Sequence, residues 1–183
     1  MGIVFVGGNL ALDFVGTLNE RFSHRVEQLR TPADLGRWLV AAGVLDRAPD
    51  VRDDDLAGAI ALREVLFSVI AREIDGATPR LTETERTMIN AAAAVSPPTP
   101  ALAKDGEVQR NGDAAAGLSA VARDAIGLFD RRDGSVLKWC ADDNCTHPFL
   151  DNSHGHRRRW CGMAGCGDRA KAAAYRARKA RVG

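Results

Sequence analysis

The chain has 183 residues, 45% of them hydrophobic and 27% charged, a mixture that excludes intrinsic disorder and suits one domain, or one domain with a small appendix. No apolar run reaches the roughly 18 residues of a membrane helix, and the first residues lack the basic, apolar and small-residue segments of a secretory signal, so we expect a cytoplasmic protein without a membrane partner. The net charge of +1 conceals an asymmetry: residues 138–183 hold ten Lys or Arg against four Asp, a net of +6, which leaves −5 for residues 1–137.

Ile3 to Val6 is an apolar run of strand length, and after Gly7-Gly8 the stretch from Leu10 to Leu18 reads equally as helix or strand. Thr31-Pro32-Ala33-Asp34 predicts a helix start, with Thr31 as cap, proline in the first turn and Gly43 as the stop. Leu35, Trp38, Leu39 and Ala42 recur at helical spacing and face the core. A longer helix is expected from about Asp54 to Asp75, ended by Gly76. Leu56, Ile60, Leu62, Val65, Leu66, Val69 and Ile70 make it the central one. Thr82-Glu83-Thr84-Glu85 opens a helix running to about Ala94, which Ser96-Pro97-Pro98 breaks. Thr99–Lys104 and Glu107–Asn111 flank Asp105-Gly106, the signal of a tight hairpin. Asp113 then caps a helix that presents Leu118, Val121, Ala122, Ala125 and Leu128 on one side, and Asp133-Gly134 marks a boundary. The expected fold is α+β, a mainly helical domain over 1–134 with a small antiparallel sheet, followed by a separate unit over 135–183.

Residues 1–137 show no phosphate-cradling glycine loop, no metal-binding histidine pair and no nucleophile in a recognisable setting, so no enzyme is expected. Asp13 lies in the apolar segment Leu10-Ala11-Leu12-Asp13-Phe14-Val15. A carboxylate there either caps a turn, the commoner role, or joins Asn9 and Thr17 in binding a small-molecule effector.

All four cysteines fall in the last quarter, as Cys140-x4-Cys145, fifteen residues, then Cys161-x4-Cys166. Clustered thiols in a reducing compartment favour a metal over disulfides, and two short-spaced pairs separated by a hairpin's length supply the four ligands of a closed, structural zinc site. A redox dithiol pair is the alternative on spacing alone. His147, His154 and His156 could substitute as ligands, but beside a full thiolate set they read as solvated loop residues or phosphate contacts. The finger is expected to have a knuckle at Cys140 to Cys145, a hairpin whose second strand carries Arg157-Arg158-Arg159-Trp160, and a helix from near Gly162. That helix bears Arg169, Lys171, Arg176, Arg178, Lys179 and Arg181 among alanines, on two arcs rather than one stripe. Small alanines and flanking cations suit a groove with phosphates on both walls, which makes double-stranded DNA the expected partner of these residues and of Arg157, Arg158 and Arg159.

The segments Trp139-Cys140, Asn144-Cys145, Phe149-Leu150-Asp151, Arg157 to Cys161, Met163-Ala164, Cys166 to Lys171 and Tyr175-Arg176 resemble the CGNR zinc-finger family. Ala11-Leu12-Asp13-Phe14 and Leu29 to Leu35 resemble its usual companion, the ABATE domain. The resemblance implies a bacterial, stress-linked transcription regulator with a ligand-sensing α+β domain and a treble-clef-like, DNA-binding zinc finger. Two positions depart from the pattern: the naming asparagine of the finger is Asp168 here, and an asparagine frequent in the early motif is Gly16. An aspartate cannot donate a hydrogen bond as asparagine does, and it repels phosphate. A homodimer on paired half-sites is the expected assembly, although no heptad run shows how it would form. The competing reading is a zinc-stapled module whose basic helix meets an acidic protein surface or RNA.

Overall fold

Side chains that cap their own backbone start most of the helices. In the computed structural model, which describes residues 3–77, 81–130 and 134–180, Asn9 opens α1 (Leu10–Val15), its Oδ1 accepting from the amides of Ala11 and Leu12 at 3.0 and 3.2 Å. Thr31 and Asp34 form a capping box at the head of α2 (Pro32–Ala41), and Gly43 follows it at φ +69°. The central α3 spans Asp53–Asp75 and ends at left-handed Gly76 (φ +66°). Thr82 and Glu85 box the start of α4 (Glu83–Ala94), and Asp113 caps α5 (Ala114–Phe129).

The Leu10–Leu18 ambiguity resolves into α1 followed by a short strand. β1 (Leu18–Asn19) pairs antiparallel with β2 (Val26–Glu27), a ribbon that the apolar pattern did not announce. The predicted hairpin is present as β3 (Thr99–Leu102) against β4 (Val108–Asn111), with Gly106 at φ +84° in the turn. Ile3 to Val6 is not a strand. Its neighbourhood is held by side chains instead: Asp13 Oδ1 accepts from the amides of Val6 and Gly7, both at 2.8 Å.

The helices bury one apolar core in which Phe14, Trp38, Leu66, Ile70 and Val121 are fully enclosed. The rings of Phe14 and Trp38 meet at 5.1 Å between centroids. Leu137 of β5 (Val136–Trp139) and Leu150 of β6 (Pro148–Asp151) belong to that same core, so the C-terminal hairpin packs into the helical unit. Arg63 is also buried, bridging both Glu27 carboxylate oxygens at 2.7 Å and reaching Glu64 and Thr17. Arg21 is buried beside it, paired with Glu64 at 2.6 Å and lying over the Phe67 ring.

Candidate metal centre and nucleic-acid interface

β5 and β6 run antiparallel in register from Val136↔Asp151 to Trp139↔Pro148, which brings Cys140 and Cys145 to the two ends of the connecting turn. The Cys145 amide closes that turn on the Asp142 carbonyl at 2.9 Å. Beyond the hairpin, Gly162 leads into a wide turn over Met163–Gly167, with Gly165 at φ +105°, and then into α6 (Asp168–Ala180). This turn returns Cys161 and Cys166 to the knuckle. The four sulfurs lie within 4.8 Å of one another, all buried, with Cys145–Cys161 and Cys161–Cys166 at 3.8 Å.

Those spacings fit a metal. Zinc–sulfur bonds of about 2.3 Å in a tetrahedron place the sulfurs roughly 3.8 Å apart. Thiols this close cannot all ionise unaided. Hydrogen bonds from Cys145 and Cys161 drive the Cys140 thiol far below the ordinary range, while the bond to Cys140 pushes Cys145 up to about 12 and Cys161 higher still. Burial raises Cys166 as well. A divalent cation relieves that conflict, because coordinated thiols are deprotonated outright. The sulfurs also have donors of their own: the Cys161 amide reaches Cys140 Sγ at 3.4 Å, and Arg169 Nη2 reaches Cys166 Sγ at 3.1 Å.

His147 is not a solvated loop residue. It is buried, with Nε2 3.0 Å from the Gly16 carbonyl and Nδ1 3.5 Å from Cys145 Sγ, and burial pushes its pKa down. The ring fills the space above Gly16, where a Cβ would lie 2.3 Å from it. His147 and Gly16 therefore form the joint between metal centre and helical domain, along with Thr146, whose amide donates to Asn19 Oδ1 at 3.0 Å. Trp139 Nε1 donates to Asp75 Oδ1 at 3.2 Å, and its ring tilts against Phe67. No sequence pattern marks these cross-contacts, which arise only once the hairpin folds back.

The arginine run divides. Arg158, expected as a DNA contact, is engaged within the chain: its guanidinium donates to the carbonyls of Trp160, Leu150, Val6 and Cys161 and covers the Phe149 ring. Arg157 and Arg159 are exposed, and Arg159 stacks near Trp160. Residues 157–160 form a loop rather than the second strand, because β6 already pairs with β5 and ends at Asp151. Asp151, fully buried, organises that loop: burial alone would raise its carboxyl, but Lys138 at 2.8 Å and Ser153 hold it well below the usual range.

α6 has no buried residue. Arg169 at its start is tied to Asp142 at 3.0 Å as well as to Cys166. Among the described residues Lys171 reaches only the exposed Asp168, at 3.8 Å, and no carboxylate pairs with Arg176, Arg178 or Lys179. Arg181 lies outside the described residues. The three effector candidates are all engaged internally. Asn9 caps α1, Asp13 clasps Val6 and Gly7, and Thr17 is buried between the Phe14 carbonyl and Arg63.

Four buried sulfurs at tetrahedral spacing, carried by a hairpin knuckle and the turn into a helix, define a treble-clef-like zinc-finger protein in which zinc is structural. The chain belongs to the ABATE family, whose description reads "Putative stress-induced transcription regulator", with residues 8–131 matched. Residues 137–179 match the CGNR zinc finger. Neither description is that of an enzyme. No curated protein shows significant similarity to the chain.

Proposed function

We propose that the protein is a ligand-responsive transcription regulator that binds double-stranded DNA through its zinc finger, with the sensor over residues 1–134 and the finger over 135–183. The observation that carries this reading is α6, a helix with no buried residue whose outer cations Arg176, Arg178 and Lys179 have no acidic partner among the described residues. A helix anchored only at its first turn gains little from tertiary burial, so the composition of its outer turns is explained by what it meets outside the chain. Cations on two arcs of a slim, alanine-rich helix reach phosphates on both walls of a groove. Arg157 and Arg159, beside the metal centre, extend the basic surface.

Asp168 opens α6 with its carboxylate exposed, where it favours the positive end of the helix dipole rather than a phosphate. The DNA contacts of this finger therefore lie further along the helix, at Lys171, Arg176, Arg178 and Lys179, with Arg169 holding the helix to the sulfurs. A binding selection on genomic fragments with zinc-loaded protein tests the reading. Enrichment of duplex sites supports it, and retention of RNA or acidic protein in place of duplex favours the interaction-module alternative. A homodimer on paired half-sites belongs to the same proposal, checked by sedimentation with and without a selected duplex.

A further inference from the structure

Between the helical domain and the finger lies a cavity of about 470 Å³, within the roughly 300–1,000 Å³ of ordinary small-molecule sites. Its accessible apolar surface comes from Ile3, Val4, Val6 and Val26, with the buried Trp38 and Leu29 behind them. Arg30, Arg37 and Arg169 supply positive charge, and Glu20, Glu27 and Asp34 supply negative charge. These charges are not equally available. Both oxygens of Glu27 are bound by Arg63, and one also accepts from the Leu29 amide. Asp34 is occupied by the Thr31 cap, the Arg30 amide and Arg37. Their pKa values sit below the usual carboxylate range, against the pull of burial, which agrees with that engagement.

The guanidiniums keep donors in reserve. Among the described residues Arg30 gives only Nε, to the Glu27 carbonyl, and Arg37 gives only Nη2, to Asp34, so each of these lining guanidiniums retains further N–H groups. Glu20 is the one lining carboxylate without a hydrogen-bond or ion-pair partner among the described residues, and it stands on the β1 side at a left-handed backbone position, φ +50°. The surplus is therefore of cationic donors over an apolar floor. The opposite wall is the finger itself: Ala164, Gly165, Cys166 and Arg169 all line the cavity.

We infer that this cavity is an effector site for a small organic acid, whose apolar body lies on Val4, Val6 and Val26 and whose carboxylate is held by Arg30 and Arg37. Occupancy is felt by the finger because the same space is walled by the turn that delivers Cys166 and by Arg169, which links Cys166 to Asp142. Binding of the acid stands on the cavity alone, whereas its regulatory consequence rests on the DNA-binding reading.

The test uses full-length, zinc-loaded protein and a set of probes, phenylacetate, indole-3-acetate and octanoate, each beside its neutral amide. Expected are saturable shifts in the nuclear magnetic resonance signals of Val4, Val26 and Ala164 with at least one acid, at least tenfold weaker binding of its amide, and loss of that preference in the Arg30→Gln, Arg37→Gln double variant. Both arginines are exposed, and the variant's melting curve verifies that it folds. Equal binding of acid and amide, indifference to the double variant, or no saturable shift with any of the acids would overturn the site. With a binding acid in hand, duplex affinity is measured with and without it. An acid that binds but leaves that affinity unchanged overturns the coupling. An acid that binds a protein with no duplex affinity supports the site and refutes the DNA reading instead.

Discussion

Gly16 is the residue on which the attachment of the finger turns. Any side chain there would project into the His147 ring, 2.3 Å from the position of a Cβ. A Gly16→Asn change must displace His147 from the Gly16 carbonyl and disturb Cys145 Sγ beside it. Overpacking of this kind costs about 1–3 kcal/mol. The expected outcome is a loss of that size in urea denaturation, with faster zinc release to a colorimetric chelator. Arg158 and Arg159 form a second contrast. Arg158→Ala orphans several partly buried carbonyls and should cost about 1–3 kcal/mol, whereas Arg159→Ala should leave the melting temperature unchanged. In duplex titrations, Arg159→Ala should reduce the salt slope by about one unit.

At the scale of elements, the junction of α3 and α4 carries a pH dependence. Glu85, the capping residue of α4, bonds Arg72 of α3 and the Thr82 amide, with the bond to Arg72 the leading reason that its pKa falls from 4.5 to about 2. The folded chain thus binds fewer protons here than the unfolded chain. The contribution is complete above pH 4.5 and is lost as pH falls toward about 2. Glu85→Gln should be less stable than the parent at neutral pH, and their urea midpoints should converge on acidification. Protonation of the cysteines releases zinc from both proteins alike, so the difference isolates the ion pair.

The same elements show what a linear sequence discloses. Helix starts at Thr31, Thr82 and Asp113 and the stop at Gly76 were legible because the capping chemistry is local. The β3–β4 turn was legible for the same reason. The four cysteines could be read as one site because thiols have few other reasons to cluster in this chain. Arg63 and Arg21 were not legible, since charged residues on a helix read as surface until their distant partners Glu27 and Glu64 are known. Nor were the roles of His147 and Arg158, whose acceptors Gly16 and Val6 are supplied from the far end of the chain. The two-residue strands β1 and β2 are too short to carry an alternating pattern.

For the whole molecule, the consequence of this cross-packing is that finger and helical domain share stability. Leu137 and Leu150 sit in the helical core, while Arg158 and the Leu150 amide bind the carbonyls of Val6 and Gly7. Removal of zinc should therefore do more than unfold residues 135–183. Chelation is expected to lower the melting temperature of the helical signal as well, measured by far-ultraviolet circular dichroism across a chelator titration. A finger hung on a free linker would leave that helical transition where it was.

The central claim is that the zinc centre exists to present a basic helix to duplex DNA. It is tested most directly by fluorescence anisotropy of a labelled duplex across a salt series, for zinc-loaded and chelated protein side by side. The account predicts that zinc-loaded protein binds and loses affinity linearly in log salt, with a slope of about −0.9 for each phosphate neutralised, and that chelated protein binds far more weakly. Equal binding with and without zinc, or no duplex binding by the loaded protein at low salt, would contradict it.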